Sequence, residues 1–424
     1  MRKQAVLIFS SVVVQRLSML VMTVLAARII GAAELGKFAI VYATCVTLTG
    51  FVGDALAATL NQHVASASDQ PASIRYERGG MVLSFCVALA LGLALLIALG
   101  SPWISLWTSG SSELAHYIYI AAVITLALLP NTVMNALLNA LGRNRTAATA
   151  ATAGAVSSVA LGLLGAYGWG AFGMCVGFAA GSLLLSGFYF AVLQRACSVS
   201  LIGPARMRQY LSSGLLPSFT APTMATMALG GPVHWLCMSF VGSLSSGVQQ
   251  IAVFTAVYQW YSILTFVPYA LMNFTVPWLT RSKLQGEAIF RRRALQVLAL
   301  MSVGCGALMA GVIFFRSTIL SLYGPDFVAE EGVLVVLAIS GFLAALITVM
   351  NQIAWAAGAS WSNLLAAWCY GLTYVMTAFV LVNGWQLRAL GLAWGILIAS
   401  LVQGLLQVYF FMRQRKSLSI SHHE

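Results

Sequence analysis

Runs of about 20 apolar residues follow one another along almost the whole chain, each long enough as a helix to cross roughly 30 Å of hydrocarbon. Only 8% of the 424 residues are charged, against about 25% in soluble domains. In lipid every backbone N–H and C=O needs an internal partner, which leaves helices or closed barrels. Barrel strands alternate in polarity and these runs do not. The chain therefore reads as an all-α polytopic membrane protein.

Spans are expected near 5–29, 37–60, 81–100, 114–139, 147–167 and 170–193, and again near 215–239, 248–272, 294–320, 332–355, 361–383 and 389–411. The basic start Met1-Arg2-Lys3 imitates a signal peptide, but Gln15 and Arg16 interrupt the run and it continues to Ala27, so an uncleaved first span is read here. About twelve spans put both termini on one side. Seventeen Lys and Arg then fall in segments on the side of the termini and two, Lys37 and Arg388, on the other, with Arg16, Arg28 and Arg316 within or at the end of spans. That asymmetry places both termini in the cytoplasm.

The chain also reads as two copies of one unit. Gly31 and Gly36, in a short charged break between apolar runs, recur as Gly242 and Gly247. Thr132-Val-Met-Asn135 with Gly142 recurs as Thr348-Val-Met-Asn351 with Gly358, and Ala171-Phe-Gly173 with Gly177 as Ala389-Leu-Gly391 with Gly395. The offsets of 211, 216 and 218 stay in chain order. Six spans per copy is an even number, so the lobes share one sense and are related by a pseudo-twofold axis along the membrane normal. The expected division is a lobe at 1–193, a cytoplasmic connector at 194–214, a lobe at 215–411 and a cytoplasmic tail at 412–424.

Catalytic, cofactor and metal sites are not expected. The chain lacks G-x-x-x-x-G-K-[ST], H-E-x-x-H and a Ser/His/Asp set, and Lys37 after Gly36 is trailed by Phe38. Without a nucleotide site, any drive comes from an ion gradient, the membrane potential or the cargo's own gradient. The seven cysteines show no C-x-x-C spacing and read as buried free thiols. A net charge of +12 is dispersed over short loops, as membrane topology requires, so nucleic acid is not a partner.

Ala27-Arg28-Ile-Ile-Gly31-Ala-Ala-Glu34-Leu-Gly36-Lys37-Phe38 resembles the first-loop signature of bacterial polysaccharide flippases, within the multidrug/oligosaccharidyl-lipid/polysaccharide exporter superfamily. Ile319-Leu-Ser-Leu-Tyr323-Gly324-Pro325-Asp326-Phe327 resembles a second recurring feature of that family. The resemblance implies a V-shaped pair of six-helix lobes around a central cavity in the bacterial inner membrane. It implies flipping of an undecaprenyl-diphosphate-linked oligosaccharide to the outer leaflet by alternating access. Membrane lipids, and the polymerase and chain-length regulator of the same pathway, are the partners it implies. Two other readings stand beside it: a cation-coupled multidrug exporter of the same fold, and a membrane glycosyltransferase or polymerase, for which no outer loop is long enough.

A charge at mid-helix costs at least about 2.5–3.5 kcal/mol and needs a partner, cavity water or a route to the interface. Arg16 either meets a lipid diphosphate, whose oxygens suit the guanidinium fork, or pairs with Asp54. Asp54, on a small polar stripe with Thr47, Gly50, Ala57, Ala58 and Asn61, is the candidate ion-coupling site unless Arg16 silences it. Arg28 and Arg316 either snorkel to outer headgroups or form a cationic wall that receives the diphosphate. His234, after Gly230-Gly231-Pro232, is a polar cavity ligand for the cargo, a proton carrier or a hydrogen-bonded packing histidine, in a seventh span that Pro217 and Pro222 are expected to kink or break. Tyr258, Trp260, Tyr261 and Tyr269 of the eighth span suit sugar rings or serve as interface anchors. The Ala, Thr, Gly and Ser of 147–158 point to close helix packing.

Overall fold

The computed structural model describes residues 2–65, 70–196, 201–357 and 360–420, all of them helix or connection and none strand. Gly358 of the expected repeat, Cys197 and residues 421–424 lie outside that description. Nine helices among the described residues are long and apolar enough to cross a membrane. They fall into two compact units, Met1–Ala252 and Val253–Glu424.

The first unit holds α1 (Arg2–Ala65), α2 (Ala72–Ser109), α3 (Ala115–Ala140), α4 (Asn144–Ala196), α5 (Pro204–Ser212), α6 (Ala221–Met227), α7 (Gly231–Gly242) and the start of α8 (Gly247–Leu284). Unbroken, α1 and α4 would each run close to 80 Å or more at about 1.5 Å per residue, far beyond one bilayer. Each is interrupted. In α1 the break is Gly31, at φ 77° and ψ 173°, a backbone conformation that costs a residue with a Cβ far more than glycine. In α4 it is Trp169 and Gly170, the latter at φ 60°.

The two halves of α4 close on each other through small residues. A Cβ added to Gly173 would overlap the Gly165 carbonyl, one on Gly177 the Leu161 carbonyl, and one on Gly181 the Ser158 backbone. These contacts, at 158–165, let backbones approach without side chains between them; within the stretch 147–158 read as close packing, Ser158 meets Gly181 and Gly154 meets the Leu185 side chain. Gly391 and Gly395 of the second unit are packed less tightly: a Cβ there would meet the Val382 side chain and the Tyr374 ring at 3.1 Å.

The seventh span is broken, as its prolines lead one to expect. It consists of a π-turn at Leu216–Thr220, the short α6, a turn at 228–230 and α7. Packing assigns these pieces to the first unit, which extends to Ala252, whereas the repeat reading ends the first lobe at 193. The physical reason is a polar seam along α1. Trp235 Nε1 donates to Thr44 Oγ1 (3.0 Å), Thr47 Oγ1 to the Gly231 carbonyl (3.3 Å), and the Thr59 and Thr220 hydroxyls share a hydrogen bond (2.9 Å). Rising numbers on α1 meet falling numbers on the broken span, so the two run antiparallel. Tyr210 of α5 completes the seam with a 2.6 Å bond to Thr220 and a ring stack on Phe85 at 4.7 Å.

The second unit comprises the rest of α8 with α9 (Glu287–Phe314), α10 (Arg316–Tyr323), α11 (Pro325–Val328), α12 (Glu331–Ala357), α13 (Ser360–Phe379) and α14 (Arg388–Ile420). Buried amides tie it together. Gln352 Nε2 donates to the Pro268 carbonyl (2.8 Å) and Gln407 Nε2 to Asn351 Oδ1 (2.6 Å). In hydrocarbon such groups have no water to fall back on, so each bond also fixes the register of two helices. Cys45, Cys86, Cys175, Cys237 and Cys305 are buried free thiols, and Cys369 is half-buried.

Candidate functional site

Helical rise from Gly31 fixes the depth of each charged residue in α1. Arg16 lies about 22 Å from the break along the first half, and Asp54 about 34 Å along the second. That offset of about 12 Å exceeds what the two side chains bridge. No ion pair joins them; the pairs formed among the described residues are Lys37 with Glu34 and Arg316 with Glu331. Tyr42, about 16 Å from the break, is closer to the depth of Arg16, and the two interact electrostatically. Tyr42 belongs to an aromatic triad with Phe38 and Phe178, with ring centroids 5.7–5.9 Å apart.

Arg16 is thus an exposed guanidinium at mid-span, with no carboxylate paired to it among the described residues. Leu17, Val21, Leu25, Arg28 and Ile29 are exposed as well, but at about 100° per residue Arg28 lies roughly 120° around the helix from Arg16, so the two need not line one surface. Asp54 is exposed on a stripe with Val46 and Asn61, and a Cβ at the intervening Gly50 would meet nothing within 4 Å. Of its expected stripe, Thr47 is instead buried in the seam with Gly231. His234 sits half-buried in the first turn of α7, its backbone N–H bonded to the Gly230 carbonyl at 3.1 Å.

Arg316 belongs to the second unit and has its charge answered there. Its Nε donates to Glu331 Oε2 at 2.7 Å and its Nη1 to the Ile313 carbonyl at 3.3 Å. An arginine so engaged at an exposed surface is a weaker cargo contact than one without a carboxylate.

The first-loop motif has a structural use that sequence reading missed. Lys37, placed by the charge count on the side opposite the termini, pairs with Glu34 and stands 5.8 Å from the Tyr117 ring centroid. The other Glu34 oxygen accepts the Ala171 N–H at 3.2 Å, just past the Gly170 break. The carboxylate therefore caps the N-terminus of the second half of α4, where unsatisfied donors and the helix dipole favour negative charge. A Cβ at Gly36 would overlap the Val248 carbonyl, and one at Gly242 the Thr108 carbonyl. The motif is a staple: its acid caps one helix, its base ties that acid to α3, and its second glycine lets the start of α8 touch. Glu34 three residues before Lys37, next to a glycine pair, was the available clue, but the partner at Ala171 is 137 positions away.

Comparison with known proteins now decides the family. The model of the polysaccharide biosynthesis protein family matches residues 1–283. The chain belongs to that family. Among curated relatives in this comparison, the EPS I polysaccharide export inner membrane protein EpsE of Ralstonia nicotianae is 26% identical over 398 residues, 92% of this chain and 89% of the relative. The EpsE of Ralstonia solanacearum matches to the same extent. Among solved structures, the lipid II flippase MurJ in its inward closed conformation superposes with a TM-score of 0.78 at 14% identity, covering 96% of this chain and 87% of that one. An inward-facing multidrug resistance MATE family transporter of the MOP superfamily gives 0.74 at 15% identity, covering 95% of each. These likenesses establish the family fold: a multi-pass, all-helical membrane protein of the same architecture as MurJ and the MATE transporters.

Proposed function

We propose that this protein is an inner-membrane flippase that carries undecaprenyl-diphosphate-linked oligosaccharide from the cytoplasmic to the periplasmic leaflet by alternating access, for surface polysaccharide synthesis. Membership of the polysaccharide biosynthesis family supports the pathway, and the relatives named for polysaccharide export and lipid II flipping support transport over enzymatic chemistry. The breaks in α1 and α4 divide two of the nine long helices, and counting the broken 215–242 segment as a further crossing supports the reading of twelve spans, which would put both termini on one side; the Lys and Arg asymmetry makes that side the cytoplasm. The polymerase and chain-length regulator of the pathway are the expected partners.

The observation that carries the cargo reading is Arg16. An arginine at mid-span with no carboxylate beside it is costly in an empty membrane, and a diphosphate answers its charge with paired oxygens. Arg28, nearer the break and roughly 120° around the helix from Arg16, is a second candidate cationic contact, while Asp54, with no ion pair among the described residues, is the candidate coupling site. His234 and Arg316 are lesser candidates, the first by its place beside the seam and the second because Glu331 already holds it.

The test is a strain deleted for this gene and complemented with wild-type, Arg16→Lys or Arg16→Ala copies at matched membrane levels. Lipid-linked glycan should accumulate on the cytoplasmic leaflet in the deletion, clear with wild type, clear partly with Arg16→Lys and persist with Arg16→Ala. Clearance by Arg16→Ala would remove Arg16 from the cargo path. No accumulation together with drug sensitivity would favour a multidrug exporter.

A further inference from the structure

Five cations, Arg281, Lys283, Arg291, Arg292 and Arg293, fall within 13 residues at the turn between α8 and α9, with Glu287 the single acid among them, so the segment carries five minus one, or +4. Charge near a membrane surface is ordinary; the way this one is built is not. Leu279 and Phe290, one on each helix, are buried in one cluster with Ala294, Val349 and Ile353. Ser282, fully buried, donates to the Trp278 carbonyl at 2.7 Å and accepts from Arg293 Nη1 at 2.7 Å. The Arg293 guanidinium also lies 5.1 Å from the Trp278 ring centroid. The hairpin is therefore a packed element and not a loose loop.

Trp278 is 41% exposed. An exposed indole with an arginine laid over it marks the headgroup level of a bilayer, where amphipathic rings and snorkelling cations settle. Arg281 follows one turn beyond Trp278 toward the helix end. Arg291 and Arg292 lie in the second turn of α9, on the facing helix. All three are exposed, and among the described residues none has an ion pair or hydrogen bond. Two arginines of the first unit are held by backbone, Arg78 by the His63 carbonyl and Arg206 by the Glu77 carbonyl, each at 3.2 Å. The α8–α9 turn thus holds Arg293 as a brace and leaves three guanidiniums at phosphate depth.

We infer that this hairpin is a binding site for an acidic glycerophospholipid of the surrounding bilayer, whose phosphate is held by Arg281, Arg291 and Arg292 while its acyl chains lie against the apolar faces of α8 and α9. The commitment to lipid over a soluble anion rests on Trp278, which places the cations at the membrane surface. The inference does not depend on which cargo the protein carries.

Native mass spectrometry of the full-length protein, titrated with phosphatidylglycerol or phosphatidylcholine, tests this directly. Each basic residue near an anionic surface contributes about 1 kcal/mol, so a triple Arg281→Gln, Arg291→Gln, Arg292→Gln variant should bind phosphatidylglycerol about 100-fold more weakly. The triple lysine variant, which keeps the charge, should retain most of the binding and controls for folding. Phosphatidylcholine should bind wild type weakly and be indifferent to either variant. Equal phosphatidylglycerol affinity in wild type and the triple glutamine variant would overturn the inference. So would displacement of the lipid by millimolar inorganic phosphate, which would make the site one for a free anion, or equal affinity for the two lipids.

Discussion

Replacing Glu34 separates two jobs that its carboxylate performs, because one oxygen caps the second half of α4 and the other meets Lys37. The ion pair is about one-third exposed on each side, so solvent screening holds it below about 1 kcal/mol. A capping side chain contributes about 0.5–2 kcal/mol, and its negative charge at a helix N-terminus about 0.3–1 kcal/mol more. Glu34→Ala should therefore cost about 2–3 kcal/mol, which for a unit of this size lowers the melting temperature by roughly 5–10 °C. Glu34→Gln keeps an acceptor for the Ala171 N–H and loses only the charge, for about 1–2 kcal/mol. Lys37→Met removes the pair and leaves the cap, for about 1 kcal/mol or less. Thermal unfolding of the purified protein in lipid nanodiscs should rank them in that order, and the Glu34→Ala, Lys37→Met double mutant should be nearly as unstable as Glu34→Ala alone. If Lys37→Met cost as much as Glu34→Ala, the carboxylate would serve the lysine and the cap argument would fail.

Gly36→Ala should sharply reduce folded protein in the membrane, since its Cβ would overlap the Val248 carbonyl, whereas Gly50→Ala, with nothing within 4 Å, should be tolerated; quantitative blotting of membrane fractions distinguishes them. Thr220→Val removes a buried hydroxyl shared by Thr59 and Tyr210, which should cost about 1–3 kcal/mol and raise the rate of limited proteolysis near the π-turn. Arg316→Gln breaks an exposed pair, so stability should change by less than about 1 kcal/mol and complementation should persist; loss of complementation at normal membrane levels would place Arg316 in the cargo path.

Much of the fold was legible because its causes are local. Apolar length decides which segments can cross, and Gly31 and Gly170 mark the folds in α1 and α4 because only glycine reaches those backbone angles cheaply. Pro217 and Pro222 likewise announced the break in the seventh span. The small residues of 147–158 announced close packing, since a helix with no side-chain bulk has little else to offer a neighbour. The candidate site was only partly legible. Arg16 and Asp54 were plain as charges in apolar runs, but whether they meet depends on depth measured from a turn.

By itself, then, the sequence determined that this protein is a bundle of membrane helices, roughly where the apolar runs lie, and which charges stand inside them. Those outcomes follow from the cost of placing polar backbone and charge in hydrocarbon, which each segment meets on its own. Only the tertiary structure decided that the seventh span lies along α1, that Glu34 caps a helix beginning at Ala171, and that Glu331 rather than a lipid answers Arg316. Each of these depends on residues from 15 to almost 200 positions apart being brought within about 3 Å, and no property of either residue alone carries the identity of its partner.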